Sequence, residues 1–376
     1  MAMLGDALFP DPATREYVTE ELGGQLEVTT TYDSIDVTIS GKAAALERMI
    51  DLLRGAMLTT QLDVDSVAKL REARLARLNK ISSSTGAVAD EAIANRLFGS
   101  FPYAHAVEGT PATVAKVERA DLLAARERFL NADNASLLVM GGVEKPRLMR
   151  ALRQLLGPWG KSNATIPATF RQPLPPDQRV LVLDTQGESR AEVRVAVRGL
   201  ARTDADSLAA DLLAVIVRNR WQAGVPELSN TAVRHESHLL PGAFVLRGST
   251  PTASASKAVT AAQQIMNALA GAPPTAEELN TARGELLPQL SAQTSQPDGL
   301  AILWLDVDTF KLQRRPPAIA NFVSSLAPGD VQRVAARLFK NQPVATVVVG
   351  NSAELKSAFA DKLDTRADPA GQLKKP

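Results

Sequence analysis

Apolar positions along the chain recur with two periods. From Lys69 to Lys80 and from Asp204 to Val217 they return every three or four residues, which predicts amphipathic helices, and the same spacing marks Ala124 to Phe129 and Val334 to Phe339. Short alternating or continuous apolar runs predict strands at Leu26 to Ile39, Leu137 to Gly141, Arg179 to Asp184, Ala191 to Val197 and Thr346 to Gly350. Thr231 to Arg247 reads as two strands around Leu240-Pro241-Gly242. Helices are thus mixed with hairpin-like strand pairs. The pattern predicts an α+β sandwich, with helices on one face of a largely antiparallel sheet, rather than a doubly wound parallel sheet.

The pattern also repeats. Asp121 to Gly141 falls on Asp330 to Gly350 without a gap, at an offset of about 209 positions. At the same offset Leu70, Ala73, Arg74 and Leu78 fall on Leu279, Ala282, Arg283 and Leu287. Two distant segments sharing one offset predict two homologous domains, residues 1–160 and 179–362. They are joined by a linker over 161–178, rich in Pro, Ser, Thr and Asn, and followed by a disordered tail over 363–376. The second half opens with strand-forming sequence, Arg179 to Asp184 and Ala191 to Val197, that has no counterpart in the first. The N-terminal domain is therefore expected to lack its first strands and to leave sheet edges open.

Composition narrows the function classes. The 376 residues carry 42 Lys+Arg against 41 Asp+Glu, a net charge of +1, and contain no block of roughly five or six like charges, so nucleic acid is not an expected partner. The absence of cysteine removes a thiol nucleophile, a disulfide framework and Cys-based metal sites. The longest apolar runs fall far short of the roughly 20 residues needed to span a bilayer, and the first residues, reaching Asp6 early, do not form an export signal. No glycine pattern of a dinucleotide or phosphate loop follows any predicted strand.

Several segments resemble a known family. Leu97-Phe98-Gly99-Ser100-Phe101-Pro102-Tyr103, then Glu108-Gly109-Thr110, Asp121 and the Asn134 to Gly142 stretch are similar to the N-terminal domain of the insulinase/pitrilysin zinc peptidases, the family that includes the mitochondrial processing peptidases and their bacterial relatives. Leu22 to Thr29 with Tyr32-Asp33, Gly157-Pro158-Trp159 and Thr275 to Arg283 add to the resemblance, which covers roughly 7–359 and implies the duplication found above. The family uses an inverted His-x-x-Glu-His motif, with two imidazoles on one helical face, a glutamate as general base and a distal glutamate as third zinc ligand. Anchored on Leu8-Phe9, those positions fall on Ala2, Gly5 and Asp6, with Met3 and Leu4 between them, and the distal position falls near Asn79. Neither His nor Glu stands there, so zinc, the family's cofactor, is not expected. The Arg and Tyr that hold the substrate carbonyl in active members find no match within Trp221 to Arg234.

The resemblance implies a non-catalytic homologue that forms part of a peptide-enclosing chamber with a zinc-bearing peptidase subunit of the same family, or with a second copy. Two alternatives are a zinc peptidase active in a longer, full-length form and a scaffold or assembly protein. The resemblance also implies that the strand Leu26, Glu27, Val28, Thr29, Thr30 is an edge that pairs with extended peptide through its main chain. Bacterial relatives of this kind are often exported, so the resemblance points to the periplasm.

Other candidate residues have plainer readings. His235 and His238 in His-Glu-Ser-His fall on a strand, where residues three apart face opposite ways and do not converge on a metal. His105 follows Pro102-Tyr103-Ala104 in a loop, and Ser82-Ser83-Ser84 is a helix-end loop. Asp204 and Asp206 suit a helix start. Lys69, Arg71, Arg74, Arg77 and Lys80 suit a solvated helix face.

Overall fold

The computed structural model describes residues 1–59, 62–81, 84–162, 170–171, 173–185, 189–359 and 363–364. The first half of the chain runs α1 (Ala2–Asp6), α2 (Ala13–Glu20), β1 (Leu26–Thr30), β2 (Ile35–Ile39), α3 (Leu46–Arg54), α4 (Val64–Ile81), α5 (Thr85–Phe98), α6 (Pro111–Val114), α7 (Arg119–Phe129) and α8 (Lys145–Leu155). The second half opens with β3 (Val180–Asp184), β4 (Arg190–Arg198), α9 (Ser207–Gly224), β5 (Ser229–Glu236), β6 (Ala243–Pro251) and α10 (Ala255–Gly271). It continues with α11 (Ala276–Ser295), α12 (Pro297–Thr309), α13 (Ile319–Ser325), α14 (Pro328–Phe339), β7 (Ala345–Gly350), α15 (Ser352–Phe359) and β8 (Leu363–Asp364). Among the described residues no helix is long and apolar enough to cross a membrane.

Two compact units result, one of Met1–Ile81, Ala106–Thr169 and Ala301–Thr309, the other of Ser82–His105, Phe170–Leu300 and Phe310–Pro376. They do not follow the halves of the sequence throughout, since α5 belongs to the second unit and most of α12 to the first. The offset of about 209 positions relates these two helices to each other. It also carries β2 onto β6, α3 onto α10, α4 onto α11 and α7 onto α14 and, with a longer hairpin loop in the second half, β1 onto β5.

The second unit holds a six-stranded sheet in the order β5-β6-β4-β7-β3-β8, antiparallel from β5 to β7 and parallel from β7 to β8. Its central strand β7, Ala-Thr-Val-Val-Val-Gly, is buried along its whole length, as expected of a strand covered on both faces. Alternation sorts its side chains. Val348 joins the core beneath α9, α10 and α14 with Trp221, Phe244 and Leu246, whereas Val347 and Val349 join Leu97 and Phe98 of α5 on the other face. The fold class is the α+β one read from the sequence, except that the sheet carries helices on both faces, α5 covering the second, rather than on one.

The first unit carries only the hairpin β1–β2, in register from Leu26↔Ile39 to Thr30↔Ile35. Its turn is tied by Thr31, whose N–H donates to the Ser34 carbonyl at 2.8 Å and whose hydroxyl accepts from the Ser34 N–H at 3.0 Å. Gly24 lies directly on the Ser40 backbone, where a Cβ has no room, so the glycine before β1 lets the hairpin close. Beneath the hairpin Leu8, Phe9, Val18, Leu22 and Leu26 form one core, and Met3, Leu4, Leu78, Val114 and Leu122 form another.

Two further sequence expectations change. Leu137 to Gly141, expected as a strand, is not one, because among the described residues no strand pairs with it. Leu363 and Asp364, expected in the tail, form β8 beside β3, where the buried Asp364 accepts from Arg96 Nη1 at 2.6 Å. That long-range ion pair is invisible to composition. Residues 163–169 and 172 of the expected linker, and 365–376 of the tail, lie outside the described residues.

Candidate functional site

The four positions singled out for metal chemistry lie on α1 and α4, and the fold decides what each can reach. Helix α1 is buried against β1, α4 and α7, held by the apolar side chains of Ala2, Met3 and Leu4. A Cβ on Gly5 would meet Thr30 Oγ1 at 2.5 Å and Val28 Cγ1 at 3.5 Å. The position that would carry a general base is therefore closed by β1. Asp6 ends the helix and accepts on a single oxygen, Oδ2, from Arg74 Nε at 2.8 Å and Nη2 at 2.6 Å.

The residue by which α4 reaches α1 is Arg74, while Asn79 is exposed. Arg74 is only 4% exposed, on the apolar side of α4 with Leu78 one turn on. Its Nη1 donates to the Glu108 carboxylate, which also accepts from Arg77 Nη2. Two guanidinium groups and two carboxylates thus close a neutral cluster around one buried cation. Such charge-assisted bonds hold a buried arginine that would otherwise lose its hydration uncompensated. The counterpart residue, Arg283, donates to the main-chain carbonyls of Val323 and Leu326 instead, so the acidic partners belong to the first unit alone.

The residues present do not fit a zinc ion. Ala2 and Gly5 offer no donor atom, and the one carboxylate of the set is neutralised by a fixed positive charge. Among the described residues no group of three or more His, Asp or Glu side chains is arranged to hold a metal ion.

The sequence motif that could have revealed the cluster is an arginine on the apolar stripe of a helix, between Leu70 and Leu78. Reading Lys69 to Lys80 as one solvated face missed it, because Arg74 is buried and Arg71 donates to the Val117 carbonyl at 2.9 Å. Glu108 enters the sequence reading only through the Glu108-Gly109-Thr110 segment.

β1, the expected peptide-docking strand, pairs only with β2 among the described residues. Glu27 and Thr29 are exposed, Val28 and Thr30 half-buried and Leu26 buried. The remaining candidates separate. His235 Nε2 accepts from the Leu200 N–H at 2.9 Å and its Nδ1 lies 3.3 Å from Asp211 Oδ1, which makes it a buried structural histidine. His238 lies against the Tyr103 ring, with centroids 4.7 Å apart. His105 is exposed. Ser84 caps α5, accepting from the Ala87 N–H at 3.2 Å, while Ser82 and Ser83 lie outside the described residues. Asp204 and Asp206 do more than start a helix. Arg337 beside Asp204, and Arg333 with Arg337 beside Asp206, hold both carboxyls below the usual carboxylate range and tie α9 to α14. Trp221, in the stretch where active members hold the substrate carbonyl, is buried and donates its indole N–H to the Ala258 carbonyl at 2.9 Å.

Residues 116–286 match the family described as Peptidase M16 inactive domain. In sequence the chain is similar to cytochrome b-c1 complex subunit 1, mitochondrial, of Homo sapiens, at 26% identity over 169 residues, 44% of this chain. The aligned stretch is 35% of that relative, so the chain spans about a third of its length. In structure it is similar to a protease from Helicobacter pylori, with a TM-score of 0.84 and 16% identity over 93% of this chain and 88% of that one. It is also similar to a peptidase M16 inactive domain from Pseudomonas fluorescens, with a TM-score of 0.80 and 18% identity over 93% and 87% of the two chains.

Proposed function

We infer from the match of residues 116–286 to the Peptidase M16 inactive domain family that this chain is a non-catalytic relative of zinc peptidases, serving as the partner half of a peptide-enclosing chamber whose metal is carried by a separate subunit. The observation that carries the reading lies outside the matched stretch. Asp6, standing where the motif of active members calls for an imidazole, is paired with the buried Arg74, Ala2 offers no ligand, and Gly5 leaves no room for a base. A chain so built contributes wall and docking surface. Extended peptide adds to the outer edge of β1, and a periplasmic home goes with this reading, checked by cell fractionation.

The test is direct. Purified full chain, equilibrated with zinc and dialysed, is expected to retain far less than one ion per chain and to leave an unfolded fluorogenic peptide intact. Stoichiometric zinc or cleavage that survives Asp6→Ala overturns the reading. Mixing with a zinc-bearing family subunit should give a complex by sedimentation and an increase in that subunit's peptidase rate. The match to a subunit of the cytochrome b-c1 complex supports a second reading, an assembly role. Recovery of the chain from cells in a stable complex that contains no peptidase favours it.

A further inference from the structure

Two arginines of β4 stand on the face of the sheet that α5 covers, and only one of them is neutralised. Alternation puts Arg194, Ala196 and Arg198 on the same side of the strand. Arg194 donates from Nε to Asp90 Oδ1 at 2.6 Å and from Nη1 to Glu192 Oε2 at 2.9 Å. Arg198, at the end of the strand, has no such partner. Among the described residues its one hydrogen bond runs from Nη2 to the Leu174 carbonyl, no carboxylate pairs with it, and its Nε is buried and unbonded. Burial alone pulls its pKa below the usual guanidinium value, and no anion opposes the pull. A half-buried cation of this kind is costly unless an anion meets it.

The surface around it is apolar. Leu174, whose carbonyl meets Arg198, is 86% exposed, and Pro175 after it restricts it to extended backbone. Phe170 is 54% exposed and stands edge-on to Phe101, with ring centroids 5.8 Å apart. Phe101 in turn meets Tyr103, whose hydroxyl accepts from the Leu240 N–H at 3.0 Å. The loop between β5 and β6 is thereby tied to the same place, and the Gly199 N–H, next to Arg198, donates to the Gly242 carbonyl of that loop at 2.8 Å. Leu239 of the loop is 48% exposed. All of these residues belong to the second unit.

The geometry points to a carboxylate-binding site at Arg198, taken by an acidic residue of a partner polypeptide other than this chain, whose neighbouring apolar side chains lie on Leu174, Phe170 and Leu239. Arg198 supplies the charge-assisted bond, and the exposed apolar side chains keep water from it, the arrangement of an arginine anchor within an apolar ring. Leu174, already held extended, loses little freedom when it is covered. A single half-buried cation among apolar side chains suits one carboxylate, whereas a nucleic-acid or lipid surface calls for several cations together. Arg171, exposed next to Phe170, adds a positive charge at the rim. The inference stands apart from the chamber reading, which concerns the outer edge of β1.

The probe is a fluorescein-labelled peptide Leu-Glu-Phe-Glu-Leu, amidated at its C-terminus, with Leu-Gln-Phe-Gln-Leu as its neutral twin. By fluorescence anisotropy the full chain should bind the acidic peptide at least about tenfold more tightly, an advantage that shrinks as salt is raised. Arg198→Met should erase that advantage without lowering the melting temperature, because it removes an uncompensated charge, and Arg198→Lys should keep most of it. Leu174→Ser, at an exposed position, should weaken binding of the acidic peptide at least about fivefold with circular dichroism unchanged. Absence of binding up to about 1 mM, equal binding of the two peptides, or an advantage that survives Arg198→Met overturns the proposal. So does a fall in melting temperature with Arg198→Met as large as with Arg194→Met, which would make Arg198 a structural tie to Leu174. Dimers of the chain that Arg198→Met dissociates in light scattering would put a second copy on this surface and overturn it as well.

Discussion

Arg74 shows how one side chain can decide the chemistry of a site. A buried guanidinium is tolerated because Asp6 and Glu108 compensate it, and both carboxylates are partly open to water. Removing a carboxylate therefore harms more than removing the cation, since the carboxylates can rehydrate and the arginine cannot. Asp6→Ala should lower unfolding free energy by about 1–3 kcal/mol, the cost of an unsatisfied buried charged donor. Adding Arg74→Met to Asp6→Ala should restore part of that loss, giving a coupling of about 0.5–3 kcal/mol in a urea-denaturation cycle. Equal and additive losses would show that the cluster is not a unit. The cluster was half legible in the sequence: Arg74 breaks the apolar stripe of α4, but its partners lie 68 and 34 positions away and no periodicity brings them together.

At the scale of elements, the seating of α1 on β1 can be tested by crowding it. Gly5→Ala sets a Cβ against Thr30 Oγ1 and should cost about 1–3 kcal/mol, as overpacking does, whereas Thr30→Ala in that background should recover most of it. The junction of α11 with α9 answers to acid. Glu278 accepts from Arg220 Nε at 2.7 Å and from the Thr275 N–H at 2.8 Å, and the Arg220 guanidinium first, the Thr275 N–H with it, holds its carboxyl down to about 2. A depressed carboxyl stabilises the fold above its ordinary value and loses that contribution as pH falls. The stability gap between the native chain and Glu278→Gln, about 1 kcal/mol once solvent screening is allowed for, should persist at pH 7 and close between about pH 4.5 and 2. Most elements were legible from period and repeat, including β3, β4, β7 and the β5–β6 hairpin. Leu137 to Gly141 was not, because an apolar run records the capacity to pair and says nothing about whether a partner strand exists. The exchange of α5 and α12 was equally hidden, since each helix has the same apolar pattern whichever unit it covers.

Among the described residues one unit holds a six-stranded sheet and the other a two-stranded hairpin, and this asymmetry should appear in the dynamics of each. In the second unit β7 and β4 are paired on both edges and covered on both faces, so their amides exchange only through extensive opening. In the first unit the hairpin β1–β2 is the whole described sheet, and two-stranded hairpins draw their stability from what packs beneath them. Native-state hydrogen exchange should therefore find residues 345–349 and 191–197 protected longest, and 26–30 with 35–39 exchanging at least about tenfold faster, a gap of about 1.4 kcal/mol or more. Thermal unfolding should correspondingly depart from a single two-state transition, with the calorimetric enthalpy exceeding the van't Hoff value. Uniform protection across both units, with one transition and matching enthalpies, would mean that the first unit borrows its stability from the second.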